Sequence, residues 1–371
     1  MSQAQLDIQF IAIVTAAACA LPGVFLVLRR MSLMSDAISH SILLGIVVGF
    51  FIAKDLSSPW LVAGATVTGV LTVSFTEILV RTRLLKEDAS IGIVFPILFS
   101  IGVILIARAA GNIHLDTDSV ILGEIALAPL SRFKIAGNDL GPKSLWVMGG
   151  ILIMSIALIS IFYKELKIAT FDNALAASLG FVPGLIHYGL MTLVSVTCVG
   201  AFDAVGSILV VALMIAPPAT AYLLTDKLNW MIILSVLIGI LSAIAGYWVA
   251  AVLDLSIAGC MATMTGVFFT LVFLFAPHRG IVAIARRQTH QKWDFASRLL
   301  SVHLLQHELT PEDTYERELR QLEEHFMWER TWAEKVVKYA IRHDLIVKKD
   351  GLLYLSDYGR RIATDAVEGR L

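Results

Sequence analysis

Along the first three quarters of the chain, apolar residues run in long blocks, and polar residues are confined to the gaps between them. A helix needs about 20 mainly apolar residues to cross the hydrocarbon of a bilayer. Blocks of that kind occupy approximately residues 8–28, 31–53, 60–80, 90–109, 144–163, 184–201, 205–224, 229–252 and 258–276. They predict an all-α polytopic membrane domain over residues 1–285, with about eight or nine transmembrane helices. The count is open around 184–224 and in the irregular 111–143 stretch. The pattern stops at Phe275-Ala276-Pro277-His278-Arg279-Gly280.

From about residue 288 the chain is charged and amphipathic, a separate domain over 288–371. Trp293 to Glu308 and Thr331 to His343 read as amphipathic helices on either side of a charged helical stretch from Pro311 to about Trp328. Leu345 to Leu355 reads as two short strands around a Lys349-Asp350-Gly351 turn, and Ser356 to Ala363 opens a last helix. Helices followed by a two-stranded wing and a helix look like a small α+β winged helix.

Composition sharpens this picture. The 371 residues are 57% hydrophobic, far above an ordinary soluble domain, while the net charge of -1 decides nothing about a nucleic-acid partner. Cys19, Cys198 and Cys260 lie far apart in apolar blocks, so no zinc or disulfide framework follows. The first block lacks the basic flank of a signal peptide and reads as a retained helix.

Basic residues mark the cytoplasmic connections. Arg29, Arg30, Arg81, Arg83, Lys86, Lys164, Lys167, Arg279, Arg286 and Arg287 fall in alternate gaps. Asp55, Asp116, Asp118, Asp203 and Asp254 fall in the others, with Arg132, Lys134 and Lys143 against the bias. The N-terminus is then outside and the tail cytoplasmic, which needs an odd number of crossings and is satisfied by nine.

Asp36 and His40 head the second block. At i and i+4 they share a helix face, and a helix starting near Met31 places them two to three turns inside. Ionisable groups there are costly unless they meet a cavity, a partner or a ligand. A carboxylate with a neutral imidazole is half of a divalent-metal site; the plainer reading is a polar pair, with Ser35 and Ser39, that pins a helix junction. Gly45 and Gly49 on the same block form a small-xxx-small pattern suited to close helix packing. Lys164 to Gly180 is too polar to span, and its alanines with a terminal glycine predict a short helix with a small-residue face. It fits a partner's groove or serves as an interfacial linker. No GxxxxGK[ST] phosphate loop occurs.

An ordered set of motifs carries a resemblance. It begins with Gly23-Val24-Phe25-Leu26-Val27-Leu28-Arg29-Arg30-Met31-Ser32-Leu33-Met34-Ser35-Asp36-Ala37-Ile38-Ser39-His40. Ala89 to Phe95, Leu122-Gly123-Glu124-Ile125, Phe171-Asp172 with Ala176 and Gly180, Val205 to Pro217, and Leu274 to Pro277 follow. Residues 1–285 thereby resemble the permease subunits of zinc, manganese and iron ABC importers, with Ser35 where the family commonly has glycine.

The resemblance implies an ATP-driven importer subunit in the bacterial cytoplasmic membrane, not an enzyme by itself and with no permanently bound cofactor. Its partners would be a separate ABC ATPase subunit, an extracellular or periplasmic metal-binding protein, and a second permease subunit, identical or a sibling. Asp36 and His40 become the transient site for the transported ion, and Phe171, Asp172, Ala176 and Gly180 the helix coupled to the ATPase. Glu124 and Asp203 are weaker path or gate candidates; Asp203 reads equally as the N-cap of the run from Val205. His114 with Asp116 and Asp118 attracts cations or is a solvated loop. Oxygen and nitrogen donors without thiolate suit Mn²⁺, Zn²⁺ or Fe²⁺; manganese is favoured on the pairing of this permease type with the tail. An ATP-independent metal transporter is the alternative on composition alone.

The tail pattern is similar to the DNA-binding half of iron- and manganese-dependent repressors. However, residues 288–371 hold 13 Lys and Arg against 15 Asp and Glu, net -2, whereas a phosphate-binding face is basic. Trp332 and Glu334 also suit a recognition helix poorly. Docking or regulation is the favoured role, with a membrane-tethered, metal-responsive transcription regulator as the alternative. His290, His303, His307, His325 and His343 lie here. His303 and His307 share a helix face beside Glu308, which leaves metal sensing open beside the plainer reading of solvated surface histidines.

Overall fold

The computed structural model describes residues 3–54, 58–109, 125–135, 138–308, 325–349 and 351–368. The chain divides into two compact units, Met1–Gly280 and Ile281–Leu371. In the first, nine helices among the described residues are long and apolar enough to cross a membrane. They are α1 (Gln3–Leu28), α2 (Leu33–Ala53), α3 (Pro59–Arg81), α4 (Glu87–Ala109), α5 (Lys143–Ile161), α8 (Pro183–Val205), α9 (Ser207–Leu224), α10 (Leu228–Leu253) and α11 (Ile257–Phe275). Between α5 and α8 lie two short helices, α6 (Tyr163–Phe171) and α7 (Asn173–Ser178).

Helix α1 is apolar on every side and central: each residue from Thr15 to Leu26 is buried. It packs against α5, α8, α9 and α10, while α2 packs against α3, α4 and α8. The Gly45/Gly49 pattern is the α2–α3 contact, since a Cβ on Gly45 would stand 2.2 Å from the carbonyl oxygen of Gly64. Several buried hydroxyls inside the bundle return to their own helix: Ser39, Thr72, Thr197, Ser235 and Ser242 each donate to the carbonyl four residues back at 2.6–2.8 Å. Such bonding removes the cost of a polar group in an apolar surround.

Two features differ from the sequence expectation. An antiparallel hairpin, β1 (Arg132–Ile135) with β2 (Asn138–Pro142), makes this unit mostly rather than wholly helical. Arg132 of that hairpin is neutralised by Asp7 at 2.8 Å and Asp139 at 2.5 Å, which is why it stands against the charge bias without opposing it. Both carboxylates raise its pKa further. The stretch expected as one short helix is split into α6 and α7 at Asp172, whose backbone is extended and whose Oδ1 accepts from the amides of Ala174 and Leu175 at 2.9 Å. An aspartate caps a helix start better than it continues one.

The second unit is mainly helical: α12 (Ile281–His307), α13 (Arg330–Arg342), the hairpin β3 (Ile346–Lys349) with β4 (Leu352–Leu355), and α14 (Asp357–Val367). Helix α12 starts at Ile281, well before the Trp293 expected from amphipathic periodicity. The core joins Leu300 and Leu304 to Val336, Ala340, Ile346 and Leu353. Trp332 stacks on Trp293 with ring centroids 4.2 Å apart, so it belongs to this core. His303 is 5% exposed, which corrects its expected place on a solvated surface.

Gly206 alone joins α8 to α9, with φ 81° and ψ 164°. That region is essentially closed to residues with a Cβ and costs them about 1–3 kcal/mol. Gly206→Ala is expected to lower the thermal midpoint of the detergent-solubilised protein, whereas Gly189→Ala in the same helix, with nothing within 4 Å of the added carbon, is expected to leave it in place. Equal midpoints for the two variants would refute the strain argument.

Candidate functional site

The chain leaves α1 through a tight turn in which Arg30 takes φ 62° and the amide of Met31 donates to the carbonyl of Leu26 at 2.9 Å. Because α2 begins at Leu33, Asp36 lies in its first turn and His40 one turn further. The pair is therefore nearer the helix start than two to three turns. The amide-rich end of α2 favours a carboxylate at Asp36.

His40 Nε2 stands 3.4 Å from Asp36 Oδ1, with both side chains half-buried. Two donors each about 2.1 Å from a tetrahedral ion lie about 3.4 Å apart, so the spacing matches chelation of one ion. Phe95 and Phe99 of α4 flank the imidazole at 6.0 and 6.1 Å between centroids. Ser35 and Ser39 bond backbone carbonyls of their own segment at 3.2 and 2.8 Å. Just beyond, Ser41 meets Thr72 of α3 at 2.6 Å and fixes the face that carries the pair.

A polar cluster that sequence reading missed sits where α1 ends. Arg29 Nε donates to Thr170 Oγ1 of α6 at 3.2 Å, and Nη1 meets His187 Nδ1 of α8 at 3.4 Å. Burial lowers the Arg29 pKa from its ordinary value. Glu77 of α3 accepts from Arg81 at 2.7 Å and from the Tyr188 hydroxyl at 2.5 Å. The only sequence signal for it was a glutamate near the end of an apolar block.

The α6–α7 elbow presents an apolar surface. Phe171, Leu175, Leu179 and Val182 are 63, 48, 55 and 61% exposed. Asp172 caps α7, Ala176 is fully buried beneath it, and Gly180 ends the segment at φ 86°. Of the four residues singled out in sequence, Phe171 faces outward, while Asp172, Ala176 and Gly180 shape the elbow. Leu175, Leu179 and Val182 complete its outer face and were not singled out.

The remaining candidates separate. Asp203 lies within α8 and is exposed, and the cap position before α9 is Gly206. The N-cap reading of Asp203 is thereby corrected. Among the described residues, Asp203 forms no three-donor cluster with Asp36 and His40. Glu124, His114, Asp116 and Asp118 lie outside the described residues.

The family profile described as "ABC 3 transport family" matches residues 5–276. The chain is 49% identical over 358 residues to the zinc transport system membrane protein TroD of Treponema pallidum (strain Nichols), covering 96% of this chain and 97% of that protein. It is 46% identical over 270 residues to the manganese transport system membrane protein MntD of Bacillus subtilis (strain 168), covering 73% and 91%. Among solved structures it is similar to PsaBC from Streptococcus pneumoniae in complex with Fab, with TM-score 0.63, 29% identity, and 75% and 94% of the two chains covered. With the profile spanning most of the chain and relatives this similar, the protein belongs to the ABC 3 transport family.

Proposed function

We propose that this chain is the membrane-spanning subunit of an ATP-driven importer for a divalent transition metal, manganese or zinc. The observation that carries the reading is the Asp36/His40 pair, held at chelating distance at the head of a membrane helix in a chain whose relatives are named for zinc and manganese transport. A transport site must accept the ion yet release it. Two donors from one chain are too few for a resident metal, and a second permease chain, identical or a sibling, completes the coordination. An extracellular or periplasmic metal-binding protein delivers the ion. Mixed oxygen and nitrogen donors without thiolate suit both metals. The tail does not choose manganese, since a relative that matches over the tail as well is named for zinc.

ATP hydrolysis belongs to a separate subunit that docks on the α6–α7 elbow, whose exposed Phe171, Leu175, Leu179 and Val182 seek an apolar groove. The basic connections at Arg29–Arg30, Arg81–Lys86 and Arg279–Arg287 support a cytoplasmic side for the elbow and the tail. The helix, hairpin and helix order of the tail supports a winged-helix-like regulatory module. Its net acidity and the use of Trp332 in the core argue against DNA as its ligand.

Asp36→Ala and His40→Ala are each expected to reduce metal uptake by at least about tenfold in reconstituted vesicles while the complex still assembles. Uptake at the parental rate in both would sink the site. Phe171→Ala combined with Leu175→Ala is expected to abolish co-purification of the ATPase subunit without lowering the yield of the permease. Retained co-purification would show that the elbow is not the docking surface.

A further inference from the structure

The tail holds a second set of metal donors, on side chains that the transport reading leaves unused. His303 and His307 lie one turn apart on α12, and His325 comes from the far side of the intervening segment. The ring centroids are 4.6 Å apart for His303–His307, 4.8 Å for His303–His325 and 5.9 Å for His307–His325. One ring nitrogen from each residue lies within 4.8 Å of the other two, and among the described residues this is the only such cluster of three or more His, Cys, Asp or Glu. Burial is graded from buried His303 through His307 to exposed His325, so the cluster opens outward from the core at Leu300 and Leu304. Phe326, stacked on Trp328, stands edge-on to His303 at 5.1 Å and walls one side.

We propose that His303, His307 and His325 bind one divalent transition-metal ion of the zinc class, at a site distinct from the Asp36/His40 pair. Three neutral imidazoles each offer one lone pair, and three nitrogens around Zn²⁺ at about 2.0–2.1 Å leave a fourth position for water. Nitrogens bound in that way stand about 3.4 Å apart, so side-chain rotation closes the cluster onto an ion without moving α12. All-nitrogen ligation ranks Zn²⁺ far above Mn²⁺, which separates this site from a manganese-transporting path. Glu308 is not part of this donor cluster, and its Oε1 accepts from Arg360 of α14 at 2.7 Å. A bound ion would fasten residue 325 to the end of α12, as metal ligation couples to folding.

The test uses the full-length chain in detergent, stripped with chelator and titrated with Zn²⁺ against a fluorescent competitor. His307→Gln combined with His325→Gln is expected to lose one zinc per chain relative to the parent. Asp36→Ala combined with His40→Ala is expected to keep that ion. Unchanged stoichiometry and affinity in the first variant would overturn the proposal. Cobalt substitution of the parent gives a readout independent of any variant: visible d–d bands of nitrogen ligation, without thiolate charge transfer, are expected. Their absence at saturating cobalt would overturn the proposal even if the histidine variant misfolds.

Discussion

The absence of water from the bilayer interior governs this structure. Every backbone amide and carbonyl there must be satisfied within its own segment, so the chain runs as helices. The same rule reaches the side chains: Ser39, Thr72, Thr197, Ser235 and Ser242 fold back onto carbonyls of their own helices. The groups a single helix cannot absorb then stand out. Among them are the Asp36/His40 pair on α2 and the Arg29, Glu77 and Tyr188 contacts among α1, α3, α6 and α8.

What was legible in sequence follows the range of the forces involved. Apolar blocks report local burial, so the nine long helices could be read directly. The i, i+4 relation of Asp36 and His40 is equally local. The β1–β2 hairpin was not legible, because its strands are only four and five residues long and carry a register irregularity between Arg132 and Lys134. The N-cap reading of Asp203 failed because the helix was taken to start at Val205, whereas Gly206, with positive φ, makes the break and α9 starts at Ser207. The contact of Glu77 with Tyr188 joins positions 111 residues apart and leaves no periodic trace.

The site and the elbow solve different problems with similar economy. At the pair, sparse ligation and half-burial would, on the proposed reading, hold an ion loosely enough to let it go. At the elbow, one aspartate stops α6 and starts α7, so the chain turns an apolar surface outward without leaving the amides of the new helix unsatisfied. Both depend on a helix N-terminus that favours a carboxylate, at Asp36 through the dipole and at Asp172 through direct hydrogen bonds.

Arg29 gives these two places a mechanical relation. Its guanidinium grips Thr170, two positions before the elbow's Asp172, while its backbone enters the tight turn that delivers Asp36. Arg29, Thr170 and the His187 contact therefore behave as a rivet through three segments rather than as separate surface contacts. On the transport reading, these contacts make Arg29 the link by which a push on the elbow would reach the α1–α2 turn, and with it the carboxylate that an ion would meet.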